Sequence, residues 1–224
     1  MPSKHSVSKT CRVAAILFDF GGVIAEEGFR EGLTAIAMEH GLEPEAFVRV
    51  GFELVYGVGY VRGRSDEKTF WQAVRDRTGI QVRDESLRHQ ILSRFTLRPW
   101  MLELLARLKE AGVRLALLSD QTDWLDELDE KLHFFQCFDH IFNSYHLGKS
   151  KKDPSLFDNV LNVMDLQAGQ ALFVDDHGSH IERAGQRGLH TIVYQDRQSF
   201  MRALTAYCPF LLAPAAIPHR EGSA

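Results

Sequence analysis

The chain has 224 residues, 45% of them hydrophobic and 25% charged, with a formal net charge of −4. That composition fits a soluble globular protein with a sizeable core, and the length fits one main domain with an insert. The mild acidity argues against nucleic acid or a membrane surface as partner, and no apolar run reaches the length of a membrane span.

The segment from Met1 to Thr10 is polar and has no apolar signal-peptide centre, so residues 1–11 are expected to be a disordered lead. The run Val13-Ala14-Ala15-Ile16-Leu17-Phe18 then ends abruptly on Asp19. An apolar run of this length with a sharp stop predicts a strand buried on both faces. Ligands bind just beyond the carboxyl ends of such strands in an open parallel sheet. Gly21 and Gly22 follow and allow a tight turn, leaving backbone N–H groups at Phe20 and Gly21 open to an anion. Helical spacing then predicts helices over 29–40, 44–52, 66–78 and 84–95. Phe70 and Trp71 read as their packing core, and Arg62 and Arg64 as surface charges.

An amphipathic helix is predicted over 99–111, with Met101, Leu102, Leu104, Leu105 and Leu108 on one face. It leads into the strand Val113-Arg114-Leu115-Ala116-Leu117-Leu118-Ser119, where Ser119 can donate a hydrogen bond to a phosphate oxygen. Asp123, Asp126, Glu127, Asp129 and Glu130 lack the glycine and spacing of a calcium loop and read as a solvated helix face. Phe134, Phe135, Phe138 and Phe142 read as packing. A strand is predicted over 139–143. The cluster Lys149-Ser150-Lys151-Lys152 precedes Asp153-Pro154, a loop signal before a helix. An ammonium there can neutralise phosphate, and of Lys149, Lys151 and Lys152 the spacing from Gly148 and to Asp153-Pro154 favours Lys151.

Ala171-Leu172-Phe173-Val174 carries Asp175 and Asp176 to its end. Adjacent carboxylates repel unless a cation or water shares them, and a few carboxylates completed by water suit Mg²⁺. His177 and His180 lack a third ligand and read as a helix start. A last strand is predicted over 190–194, and residues 213–224 as a disordered tail. Cys11, Cys137 and Cys208 are odd in number and far apart; they are expected to remain thiols in a reducing cytoplasm. Strands alternating with helices imply a doubly wound parallel α/β sheet.

Four motifs in this order, strand–Asp-x-x-Gly-Val, strand–Ser, Lys before Asp-Pro-x-x-Phe, and strand–Asp-Asp, resemble the haloacid dehalogenase superfamily of phosphatases over about residues 13–194. The resemblance implies a Rossmann-like core (12–24 and 97–212) with an inserted helical cap (25–96). It implies Mg²⁺ held by Asp19, the Gly21 carbonyl, Asp175 and Asp176, the last through water or by holding Lys151. Asp19 would be the nucleophile that forms an aspartyl phosphate. Ser119, Lys151 and the Phe20–Gly21 backbone, with Asp120 beside them, would bind the phosphate. The expected substrate is a small phosphorylated metabolite. The chain departs from the family pattern at Gly21, where a second Asp usually serves as acid and base, at Asp120, at Lys152 and at His180. Glu26 and Glu27 are the first places to look for a replacement acid. The rival expectation is a catalytically weak or regulatory relative that binds a phosphometabolite or a partner protein.

Overall fold

The computed structural model describes residues 11–212. The expected 213–224 tail, and the expected lead up to residue 10, lie outside the described residues. β1 (Ala15–Phe18) is buried on both faces, as its unbroken apolar run requires. Ala15 and Leu17 pack into one layer while Ile16 and Phe18 pack into the other, the period-2 alternation of a strand. β1 pairs in parallel with β2 (Arg114–Ser119) on one side and β4 (Ala171–Asp175) on the other. β3 (His140–Asn143) and β5 (His190–Val193) complete a five-stranded sheet of order β3-β2-β1-β4-β5, parallel throughout. The chain builds outward from β1 to β3, then crosses back to lay β4 beside β1. The boundary between β1 and β4 is therefore the switch point at which such sheets bind ligands. Register pairs Phe18 with Val174, so Asp19 and Asp175 leave the sheet side by side.

Between β1 and the helix that leads into β2 the chain inserts four helices: α1 (Gly28–Glu39), α2 (Pro44–Gly57), α3 (Glu67–Thr78) and α4 (Asp84–Leu92). Local chemistry sets their ends. Pro44 opens α2, with the Glu43 carboxylate accepting the N–H groups of Glu45 and Ala46. Asp66 caps α3 through the Thr69 N–H, and Gly79, at φ 75°, closes it. α2 runs past the expected residue 52 to Gly57, because Val55 keeps the buried face going. α4 stops at Leu92 rather than 95, because the chain turns there and puts Phe95 against Phe20, ring centroids 5.5 Å apart. α1 and α4 touch at Gly32, where a Cβ would lie 2.6 Å from the Ile91 Cα.

The remaining helices are α5 (Pro99–Glu110), α6 (Trp124–Leu132), the single turn α7 (Ser144–Leu147), α8 (Ser155–Val163), α9 (Gly178–Gln186) and α10 (Arg197–Tyr207). The four-helix insert shares its core with the sheet layer. Phe29, Phe70 and Trp71 pack around Trp124 of α6 with centroids 6.1–6.4 Å apart. Polar contacts tie the same seam: Trp124 Nε1 donates to Glu67 at 3.2 Å, and Ser144 Oγ donates to the Val61 carbonyl at 2.6 Å. Asp123 of the acidic run accepts from the Tyr60 hydroxyl, so that run is not solely a solvated face.

The cysteine expectation is corrected. Cys11 and Cys208 form a disulfide across a separation of 197 residues, and only Cys137 remains a free thiol among the described residues. The ends of the described chain meet because the Arg12 N–H bonds the Tyr207 carbonyl at 2.8 Å, a long-range contact that Cys spacing does not encode. The cysteine count thus no longer argues for a reducing compartment, and Cys11 belongs to the fold rather than to a disordered lead. Among the described residues no helix is long and apolar enough to cross a membrane.

Candidate active site

The parallel strands deliver their end groups to one edge. Asp19 follows β1, Ser119 ends β2 and Asp175 ends β4; all three are buried, at 9%, 3% and 0% exposure. The Phe20 N–H donates to Asp19 Oδ1 at 2.7 Å, which fixes the carboxylate and leaves Oδ2 for chemistry. Of the three lysines, Lys151 is the one that reaches Asp19 and Asp175. Lys151 is fully buried, with Nζ 2.9 Å from Asp19 Oδ1 and 2.7 Å from Asp175 Oδ2. Lys149 instead bonds Ser155 and Asn159, and Lys152 lies over the Tyr56 ring.

Both carboxylate oxygens of Asp120 are already engaged. Its Oδ1 accepts the Lys151 backbone N–H and its Oδ2 the Tyr56 hydroxyl, each at 2.9 Å. One carboxylate thus ties the α2 end of the insert to the backbone of the buried lysine. Lys151 lies on Asp175 rather than Asp176. Asp175 also accepts the His177 N–H at 2.7 Å and approaches His180 Nδ1 at 3.1 Å. His180, in the first turn of α9, is therefore buried on a carboxylate rather than facing solvent.

Charge in this pocket follows from burial and proximity. Burial works to strip Lys151 of its proton, but Asp175 and Asp19 override it and hold the ammonium above the ordinary lysine value. Burial raises Asp19 well above the carboxylate range, against the pull of Lys151. For Asp175 burial is outweighed by Lys151 and His180, which hold it well below that range. Burial, then the neighbouring Asp175, pushes Asp176 up. Oxygens of Asp19, Asp175 and Asp176 lie within 4.8 Å of one another. Three carboxylates against one ammonium leave two excess negative charges when all are ionised. A hard divalent cation with oxygen ligands fits this donor set. Gly22, at φ 77°, permits the crowding: a Cβ there would lie 2.2 Å from Asp176 Oδ2.

Gly21 is different. Its backbone is not left-handed, and its missing side chain leaves room for another group. A Cβ on Gly21 would lie 2.8 Å from Glu27 Oε2. Glu27 turns inward from the start of α1, with Oε1 accepting the Arg30 N–H at 3.1 Å. Burial, more than its neighbours, raises its carboxyl above the ordinary value of 4.5. Glu26 is committed elsewhere, paired with Arg98 at 2.8 Å. Arg98 also donates to the carbonyls of Gly22 at 2.6 Å and Val23 at 3.0 Å, and so clamps the glycine turn after Asp19. Sequence reasoning missed Arg98 and Tyr56. Neither stands in a local pattern, and both act across long stretches of chain.

Above these groups opens a cleft of about 800 Å³, lined by Asp19, Gly21, Glu27, Ser119, Lys151 and Asp176 at its floor and by α1 and α2 on its wall.

The haloacid dehalogenase-like hydrolase model matches residues 13–186. The chain is 28% identical over 127 residues to the rat (Rattus norvegicus) bifunctional epoxide hydrolase 2, a match covering 53% of this chain but 23% of that longer protein. It is 20% identical over 206 residues to flavin mononucleotide hydrolase 1 of Arabidopsis thaliana, covering 91% of this chain and 81% of that one. A HAD family enzyme of Bacteroides thetaiotaomicron, solved with magnesium and inorganic phosphate, superposes with a TM-score of 0.66 at 21% identity. That match covers 84% of this chain and 98% of the other, and it establishes a shared fold.

Proposed function

The chain belongs to the haloacid dehalogenase-like hydrolase family, and from that premise we propose that it is a Mg²⁺-dependent phosphomonoester hydrolase using Asp19 as nucleophile. One observation carries the reading: a buried carboxylate at the sheet's switch point, paired with a buried lysine at 2.9 Å and flanked by two further carboxylates. The hydrolase relative that acts on flavin mononucleotide, and the shared fold with an enzyme crystallised with magnesium and phosphate, support it.

Asp19, Asp175, Asp176 and the Gly21 carbonyl would hold the cation, which when bound would neutralise charge on the phosphoryl oxygens. Ser119 and the Lys151 ammonium bind the remaining oxygens, and the Phe20 N–H keeps Asp19 aimed. Asp19 Oδ2 attacks phosphorus, the bond from phosphorus to the leaving oxygen breaks, and the alcohol departs with a proton. Water then attacks the aspartyl phosphate, releasing inorganic phosphate and restoring the carboxylate. Little else is asked of the protein, because phosphoryl transfer depends mainly on positioning and positive charge. Glu27 is the group placed to give and take the proton, since its carboxylate fills the space in front of Gly21.

The test is phosphate release from a panel of phosphorylated metabolites with and without Mg²⁺. Turnover should require the metal. Asp19→Asn should lower it by on the order of 10³-fold or more, and a fluoride-based phosphate mimic should bind against Asp19. Absence of metal-dependent turnover on the whole panel, with phosphate esters still bound, favours the regulatory reading instead.

A further inference from the structure

The cleft is far larger than a phosphate group needs. Its volume of about 800 Å³ lies toward the upper end of clefts that enclose drug-sized ligands, roughly 300–1,000 Å³. The reacting groups occupy only its floor. Its wall includes one face of α2, where Val48, Arg49, Phe52 and Tyr56 recur at the three- and four-residue steps of a helix. Phe52 and Tyr56 are half-buried, and each carries a cation over its ring. Arg30 Cζ lies 5.1 Å from the Phe52 centroid and Lys152 Nζ 3.3 Å from that of Tyr56. A guanidinium resting on one ring can stack a second ring on its other face. A triose or other small phosphate would leave this whole wall in water.

We propose that the preferred substrate is a phosphomonoester whose alcohol part is a large, flat aromatic group lodged against Phe52 and Arg30. This rests on the phosphatase reading above and adds the substrate class. The phosphate occupies the floor at Ser119 and Lys151. The aromatic body reaches along α2, where it gains ring contacts and removes apolar surface from water.

The test compares 2-(2-naphthyl)ethyl phosphate with ethyl phosphate in the presence of Mg²⁺. Both release a primary alcohol of similar acidity, so leaving-group chemistry is matched and the ratio of kcat/KM reads the wall. The naphthyl ester should be favoured by about tenfold or more. Phe52→Ala should cut that ratio severalfold, chiefly through KM. Arg30→Ala, a change at an exposed side chain, should cut it too without threatening the fold. Equal kcat/KM for the two esters overturns the inference and leaves the phosphatase reading standing. A ratio that both variants leave untouched also overturns it. If neither ester nor any member of the metabolite panel is hydrolysed, the phosphatase reading fails and this inference falls with it.

Discussion

At Gly21 the chain offers no side chain, and the carboxylate of Glu27 stands in front of it instead. Its proton is useful only while it is there. The leaving-group step should weaken as pH rises through the raised Glu27 value, because the protonated form donates. Stability runs in the same direction. The folded state holds that proton more tightly than the unfolded chain, so the cost of a buried charge is fully present above the raised value and is relieved as pH falls toward 4.5. Glu27→Gln should therefore be as stable as the parent, or more so, above that window in denaturant titrations. It should nevertheless lose about 10²–10⁴-fold in turnover of alkyl phosphates and much less with aryl phosphates, whose leaving groups need no proton. An equal loss on both would remove Glu27 from the role. Arg98 makes a second case. Arg98→Lys keeps the charge but loses the fork that spans Glu26 and the Gly22 and Val23 carbonyls. We expect a loss of roughly 1–3 kcal/mol in urea unfolding, together with weaker turnover as the glycine turn loosens.

Among the elements, close helix packing sets different costs for two similar changes. Gly32→Ala puts a Cβ 2.6 Å from Ile91 Cα and 3.0 Å from the Gln90 carbonyl. Both obstacles are backbone, so α1 and α4 must part, and overpacking of about 1–3 kcal/mol outweighs the gain in helix propensity. Gly185→Ala in α9 meets nothing within 4 Å and should stabilise by roughly 0.5–1 kcal/mol. Thermal unfolding of the pair checks both signs. The inner strands were legible in the sequence because burial on both faces produces unbroken apolar runs, as in Ala15–Phe18 and the apolar part of Ala171–Asp175. The helices of the insert and α5 were legible from their spacing, with errors at ends set by tertiary contacts, such as Phe95 turning onto Phe20, whereas the short α7 and the C-terminal α10 were not foreseen. Asp19, Ser119, Lys151 and Asp175 could be picked out because strand ends and loop signals mark them. Tyr56 on Asp120 and Arg98 on the glycine turn could not. Those bonds join residues 64 and 76 positions apart, and nothing local encodes them.

For the whole molecule, the Cys11–Cys208 bond closes a loop of 197 residues. On the chain-entropy account such a loop stabilises the fold by up to roughly 5 kcal/mol, through restriction of the unfolded chain. Denaturant unfolding with and without reductant should show the difference, and a midpoint unmoved by reductant would mean that the thiols are not paired in solution. The same bond makes the described chain a ring in the covalent sense. A protease that cuts once, for instance after Arg83 between α3 and α4, would open the ring without dividing it. The nicked protein would migrate as one species on a non-reducing gel and as two fragments once reduced. Both halves of the split sheet would stay tethered, so a single cleavage in an exposed connection would leave the strand ends carrying Asp19 and Asp175 on one molecule.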